Sequence, residues 1–389
     1  MDFSLSESQK TLLKEFRKWL RYEFRAFRLK EFWDHPNPRK RWEAQHFWHR
    51  RLFESRWIGL HWPCEYGGRG AGVIEEFLVL EELARRGISP GVNEIAIAMI
   101  GPLFLRHGTA GQKAAYLGKI LSAEEIWCQG FSEPQAGSDL AALSTRAQEN
   151  SESFLINGRK AWTSFAHRAD RCLLMARTDA GVDRKEAGLS LFIVDMHAPG
   201  IEVRPIAQID GEAEFCEITL DSVSVPKDQV LGPVNRGWGL ALEAAGYERL
   251  SVQALYPIFR GFQELRGLLR LLPWVDGKLS KNPIFRQKFA QLAIETQALR
   301  CTALRVLAKA GPGLPNAESS LVRLFSKELE GRMAVFALEA IAASGEQSFR
   351  QGKVDWLKRF LTSRGVTIAR GTSQMHRNLI ARLLLGLPA

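Results

Sequence analysis

The sequence predicts an α+β protein in three parts: an N-terminal all-helical domain over residues 1–122, a middle β domain over 123–232, and a C-terminal helix bundle over 233–389. Two observations lead to this reading. Apolar residues recur at helical spacing in the outer parts, and short strand-length runs separated by turn residues fill the middle. The chain of 389 residues is 46% hydrophobic and 25% charged, the composition of an ordinary globular protein that buries a core without staples. The expected architecture is a helical domain, a β-barrel or β-sandwich, and a four-helix bundle.

Each element has its own signal. Ser6 and Gln9 have capping-box spacing, and Leu12, Leu13, Phe16 and Leu20 then share one helical face. "VIEEFLVLEELARRG" (73–87) has acids early, arginines late and Gly87 as its terminator. In "SFLINGRKAWTS" (153–164), Asn157-Gly158 lies between short apolar runs and predicts a hairpin turn. "RCLLMARTD", "GLSLFIVDM", "GIEVRPI" and "FCEITLDSVSVP" follow as strands. From Gly232 the helical period returns. "NRGWGLALEAAGYERLSVQALYPIFRGF" reads as one buried helix, interrupted by Glu248 and Arg249. Two long helices follow, the second with Asn316 as N-cap and Gly345 near its end, then a helix around 350–363 and a last one from about 373.

The bulk properties narrow the function. Cys64, Cys128, Cys172, Cys216 and Cys301 are scattered without CxxC spacing, which argues against a disulfide framework or zinc cluster and for a reducing compartment. The start, "MDFSLSESQK", lacks a signal-peptide pattern, and the most apolar stretch, "IAIAMIGPLFL" (95–105), is too short to span a bilayer. The expected location is cytoplasmic, with no membrane partner. The net charge of +10 admits nucleic acid, a membrane surface or a phosphorylated small molecule. Much of it sits near the N-terminus, in "FRAFRLK" and "NPRKRWEAQHFWHRRLF", where a solvated helix face is the plainer account.

Several motifs have residue types that could carry chemistry. "GGRGAG" (67–72) is neither GxGxxG nor a P-loop, and reads as a turn before a helix. His46 and His49 have helical metal-ligand spacing but no third ligand nearby, so no metal is expected. "FSEPQAGSD" (131–139) offers backbone N–H groups and hydroxyls to an anionic or carbonyl-bearing ligand. "NGRKAWTS" adds an aromatic beside two hydroxyls, and "GTSQMHRN" (371–378) sets Thr, Ser and Gln at a helix start that favours anions. Glu248, in an apolar run, calls for a partner or a function.

Together "LHWPCEYGG" (60–68), "WCQGFSEPQAGSDLA", "GRKAWTS" and "GTSQMHRNLIARLLLGLP" resemble the signatures of the acyl-CoA dehydrogenase family, in the same order and over nearly the whole chain. The resemblance implies FAD held between the β domain and the C-terminal helices. By family position, Gln129, Phe131, Ser132 and Gly137 belong to the flavin-lining segment, with the Ser132 hydroxyl near the pyrimidine edge. Trp162 lies against the ring face, Thr163 and Ser164 follow, and Ser164 takes the place of a hydroxyl that bonds flavin N5. Thr372 and Gln374 contact the ADP half, and Ser138 approaches the pantetheine of acyl-CoA. The implied reaction is α,β-desaturation of an acyl-CoA, with electrons passed to an electron-transfer flavoprotein and a dimeric or tetrameric homo- or hetero-oligomer as the working form.

The family's α-proton base is a carboxylate. Many members place a glutamate immediately before the "GTSQ"-type motif, where this chain has Arg370. A minority carry it on the bundle helix in an "ER" pair, which Glu248-Arg249 resembles. The reading therefore assigns Glu248 as base, Arg249 to the thioester end, and Arg370 to a polar or acidic part of the substrate. "LPWVDGKLSKNPIFRQKFA" lacks the usual Arg-x-Phe-Gly pyrophosphate segment, with Arg286 a weak substitute, and "AASGEQS" reduces the usual Gly-Gly element. These departures resemble bacterial members that pair two different subunits. Three alternatives stay open: a non-catalytic or partner-dependent subunit of a mixed oligomer, a nucleic-acid-binding member of the superfamily (disfavoured by Glu248), and an oxidase or monooxygenase on the same fold.

Overall fold

The structure, a computed structural model, describes residues 4–27, 37–250, 255–275, 277–309, 318–351 and 354–388, with the side chains of 24–27, 249 and 250 outside the description. The helices are α1 (Glu7–Phe27), α2 (Pro38–Glu54), α3 (Val73–Arg86), α4 (Gly101–His107), α5 (Ala110–Ser122), α6 (Gly237–Leu250), α7 (Tyr256–Leu271), α8 (Pro283–Lys309), α9 (Ser319–Ala343), α10 (Trp356–Val366) and α11 (Ser373–Leu383). The strands of the main sheet are β1 (Trp127–Gly130), β2 (Arg146–Glu149), β3 (Ser153–Ser164), β4 (Arg171–Arg177), β5 (Leu189–Asp195), β6 (Ile201–Pro205), β7 (Phe215–Pro226) and β8 (Val230–Leu231). The chain forms two compact units, Met1–Val92 with Arg249–Ala389, and Asn93–Glu248.

In the first unit the predicted capping box forms at the start of α1. Gln9 N donates to Ser6 Oγ at 3.2 Å, and Ser6 N donates to Gln9 Oε1 at 3.1 Å. The predicted face of α1 is buried through Leu13, Phe16 and Leu20, and Phe16 and Trp19 meet Trp57 and Trp48 in an aromatic cluster. Helix α3 ends at Gly87 in the left-handed conformation, as expected. It packs on α7 and α8, with Phe77 edge-on to Phe259 at 5.9 Å and Arg300 Nε donating to Glu81 Oε1 at 2.6 Å. Helix α9 packs against α7, α8, α10 and α11. Its expected N-cap, Asn316, lies outside the described residues.

Two expectations for this part are corrected. The stretch read as one buried helix forms two, α6 and α7, with Pro257 in the first turn of α7, where a missing N–H costs nothing. The helix expected from about 350 starts at Trp356. Before it, Arg350–Gln351 (β11) pairs with Val354–Asp355 (β12), as Pro273–Trp274 (β9) pairs with Gly277–Lys278 (β10) earlier. The Asp355 side chain caps α10 by accepting from Lys358 N at 2.9 Å, which sets the later start.

The second unit is built on one mixed eight-stranded sheet, order β6-β7-β3-β2-β4-β5-β8, with β1 parallel to β4. Its core includes Phe154, Ile156, Leu174, Phe192, Val194, Ile218 and Val223. Helices α4 and α5 belong to this unit. Asn93 Oδ1 accepts from Trp127 N, Gln112 Nε2 donates to the carbonyls of Asp228 and Val230, and Tyr116 OH donates to Gln229.

The hairpin predicted at Asn157-Gly158 is not there: the pair lies inside the continuous strand β3, at a register shift against β7. A Cβ on Gly158 would stand 2.7 Å from Thr145 Cα, so the glycine serves a close backbone approach rather than a turn. Asn157 Oδ1 accepts from Ser222 N at 2.8 Å across the strands. A dipeptide reports local freedom, and here β7 supplied the partner that turned it into a bulge.

Candidate active site

The site segments of the second unit converge on β3. Simple alternation would set Lys160, Trp162 and Ser164 on one face. A second register shift, between Lys160 and Thr163, breaks it. Trp162 takes a positive φ of 60° and stands 58% exposed, while Thr163 turns inward. A bulky residue in this region is a conformational outlier that costs on the order of 1–3 kcal/mol and is held by its surroundings. Phe215 meets the Trp162 ring edge-on at 6.2 Å. Thr163 is 1% exposed, and its Oγ1 has no hydrogen-bond partner. An orphaned buried hydroxyl costs about 1–3 kcal/mol, which a ligand atom would recover.

Beside this stretch runs the segment after β1. Ser132 O accepts from Ala161 N at 2.9 Å, which ties Ser132 to β3 just before Trp162. Phe131 is buried, Gln129 and Ser132 are half-buried, and Gly137 and Ser138 are exposed on the following loop. An added Cβ on Gly137 would meet nothing within 4 Å. Ser164, half-buried, closes the strand.

The residues that the sequence reading missed hold this arrangement together. Lys160 and Glu133, 0% and 1% exposed, form an ion pair with Nζ to Oε1 at 2.9 Å. Lys160 Nζ also donates to Phe131 O at 3.1 Å. Glu133 Oε1 accepts from Thr145 N at 2.8 Å and Thr145 Oγ1 at 2.5 Å, and Oε2 accepts from Ser144 N, Ser144 Oγ and Gln135 Nε2 at 2.7–2.8 Å. Burial pushes the Lys160 ammonium down to about 8 against the pull of Glu133. Burial also opposes the Glu133 charge, but Lys160 and the Ser144 and Thr145 donors outweigh it and hold the carboxyl at about 2. Period-two spacing from Phe154 and Ile156 puts Lys160 on the inward register, the one signal that would have found it.

Helix α6 carries two carboxylates. Glu243 is taken by three donors: Tyr247 OH at 2.6 Å, His107 at 2.8 Å and Arg106 at 3.4 Å. Burial, then the Glu243 hydrogen bond, push the Tyr247 phenol up to about 12. Glu248 is half-buried and directly follows the buried Tyr247. Arg249 is the next residue of the helix, and its side chain lies outside the described residues.

In the first unit, Arg370 and Gly371 take consecutive positive φ values of 59° and 87°. The buried Lys327 donates to the carbonyls on either side of Arg370, Ala369 O and Gly371 O, each at 2.5 Å. Arg370 is exposed. Thr372 caps α11, its Oγ1 accepting from Met375 N at 3.1 Å, and Gln374 is exposed in the first turn. Elsewhere in this unit His49 is buried and accepts from Val92 N on Nδ1, a core role, and no cluster that would hold a metal occurs among the described residues. "GGRGAG" forms the turn before α3, with Gly68 packed against the Trp62 carbonyl.

Comparison with known proteins follows the same segments. Family profiles for the acyl-CoA dehydrogenase N-terminal, middle and C-terminal domains match residues 6–124, 128–223 and 235–385. The acyl-CoA dehydrogenase IpdE1 of Mycolicibacterium smegmatis is 34% identical over 357 residues, 89% of each chain. The chain belongs to the acyl-CoA dehydrogenase family. The acyl-CoA dehydrogenase FadE34 of Mycobacterium tuberculosis is 35% identical over 87% of this chain and 45% of its own length. Among solved structures, the ChsE4-ChsE5 complex from Mycobacterium tuberculosis superposes with a TM-score of 0.85 at 25% identity, covering all of both chains. The Tcur3481-Tcur3483 steroid acyl-CoA dehydrogenase superposes at 0.84 with 26% identity, again over both chains in full.

An acyl-CoA dehydrogenase has a helical N-terminal domain, a middle sheet domain and a helical C-terminal domain, and this chain has all three. It is an oxidoreductase, and acyl-CoA dehydrogenases are FAD flavoproteins. The residues fit that cofactor: an orphaned inward hydroxyl on Thr163, an exposed aromatic face on Trp162 and an open backbone at Gly137 lie in the two segments gathered at β3. No helix among the described residues is long and apolar enough to cross a membrane.

Proposed function

We propose that the protein catalyses α,β-desaturation of an acyl-CoA thioester, with Glu248 taking the α-proton. The observation that carries the assignment is the place of Glu248 on α6. Glu248 is half-buried, follows the buried Tyr247 and precedes Arg249 in the pair that resembles the family's bundle-helix base, and position 370 holds an arginine. A carboxylate screened from water when substrate arrives becomes a stronger base, because its charged form loses hydration. Arg249 and Arg370 orient the thioester and a polar part of the substrate, and Ser138 meets the pantetheine. Gln129, Phe131, Ser132, Gly137, Trp162, Thr163 and Ser164 hold the flavin half of FAD, and Thr372 and Gln374 its ADP half. FAD, when bound, supplies the hydride acceptor for the β-carbon, and an electron-transfer flavoprotein removes the electrons.

A second feature belongs to the proposal: the working form is a mixed oligomer with a related chain. The solved relatives include the ChsE4-ChsE5 complex and the two-component Tcur3481-Tcur3483 enzyme, and Arg370 replaces the residue that many family members use as base. The test is an anaerobic visible spectrum recorded with a panel of straight-chain, branched, glutaryl and steroid-derived acyl-CoAs. Bleaching of the flavin by one of them is the expected result. A flavin that none of them reduces, with or without the partner chain, would sink the assignment.

A further inference from the structure

We propose that the buried Lys160–Glu133 pair is the positioning element of the FAD site, fixing the segment after β1 and the bulge of β3 in cofactor-ready form. The inference rests on the FAD reading above. The pair joins three stretches that are distant in sequence. Lys160 holds the Phe131 carbonyl, Glu133 holds the Ser144–Thr145 turn through four donors, and the two charges hold each other. Ser132 O is bound one residue further along β3, at Ala161 N. The carbonyls of Phe131 and Ser132 are thus both committed to β3, and the Phe131–Ser132 backbone has one orientation left. The bulge that exposes Trp162 and buries Thr163 begins directly after Lys160.

The pair touches neither reacting carbon nor proton base, so its role is indirect. A buried ion pair often contributes little to stability when set against an apolar pair of equal volume, whereas removal of one partner strands a charge. Its effect here lies in uniqueness of geometry: six donors on one carboxylate, aimed from Gln135, Ser144, Thr145 and Lys160, leave the loop no alternative packing.

The test removes both charges together. The full-length chain carrying Glu133→Gln and Lys160→Met is stripped of FAD and titrated with FAD by flavin fluorescence, alongside wild type. A second variant, Thr145→Val, keeps both charges and deletes one hydroxyl donor. The double variant is expected to melt below wild type without FAD, because one backbone N–H of Ser144 or Thr145 then faces an amide NH2, and to bind FAD about tenfold or more weakly, the equivalent of one lost charge-assisted hydrogen bond. Its bound flavin is expected to absorb closer to free FAD, and Thr145→Val to weaken binding severalfold. Wild-type-like affinity and flavin spectrum in the double variant would overturn the proposal. If the double variant does not fold, an unchanged affinity and spectrum in Thr145→Val overturns it instead. Wild-type protein that binds no FAD would overturn both this inference and the cofactor reading beneath it.

Discussion

Glu248 is the residue on which the proposed chemistry turns. Replacing it with Gln keeps the volume and removes the base. Glu248→Gln is expected to retain FAD and acyl-CoA binding while substrate-dependent flavin reduction falls by at least about a hundredfold, the lower range for loss of a positioned general base. Stopped-flow reduction with the best acyl-CoA measures it. Reduction at the wild-type rate would move the base elsewhere, and Glu243 would be the next candidate on the same helix. At this scale the sequence was informative where a residue broke its local pattern: a carboxylate among apolar residues, or an aromatic beside two hydroxyls. It was silent on Glu133. A glutamate in a loop rich in Ser, Pro and Gly looks solvated, and only the arrival of Lys160, Ser144 and Thr145 makes it a buried anion.

At the scale of elements, α3 is tied to the loop before it by a charged pair. Nδ1 of His61, in "LHWPCEYGG", meets Oε2 of Glu76 on α3. Burial disfavours the imidazolium, but the Glu76 carboxylate outweighs it and raises the His61 pKa above its ordinary value. Burial likewise opposes the Glu76 charge, and His61 outweighs it and lowers that pKa. The sign for histidine follows. A raised folded-state pKa gives stability that is fully present below about 6.5, the unfolded value, and is lost as pH rises through the folded value. Wild type is therefore expected to melt higher than His61→Gln at pH 6, with the gap narrowing by pH 9. Calorimetry at the two pH values checks this, and an equal gap at both would show that the pair is not an ionic tie. Elements were legible wherever the signal was local: the Ser6 box, the Gly87 stop, strands β4 to β7, and α11 after Thr372. Asn157-Gly158 failed because its meaning depended on Thr145 and Ser222, which are not sequence neighbours.

For the whole molecule, the excess of 53 basic over 43 acidic side chains is less free than it looks. Arg17 pairs with Glu82, Arg51 with Glu23 and Glu54, and Arg300 with Glu81, while Arg69 stacks over Trp57. Arg17, Arg51 and Arg69 thus have structural contacts in the N-terminal region, and a CoA thioester suits the net positive charge. Co-production with a related second chain is expected to give a stable mixed complex, read by light scattering, with FAD and turnover per complex exceeding those of this chain alone. Full FAD occupancy and full turnover from a homo-oligomer would rule out the need for a partner.

The sequence by itself determined the α–β–α order, the cap at Ser6 and the stop at Gly87, four of the strands and the short segments whose joint spacing marks the family, because each depends on periodicity or on residues a few positions apart. Tertiary structure alone decided which charges would be buried together, that an Asn-Gly pair would bulge rather than turn, that Trp162 would face outward and Thr163 inward, and that α4 and α5 would join the sheet's unit. These outcomes depend on which distant strand supplies the next hydrogen bond, and on the low polarity of the interior, which leaves Lys160 and Glu133 stable only in each other's company.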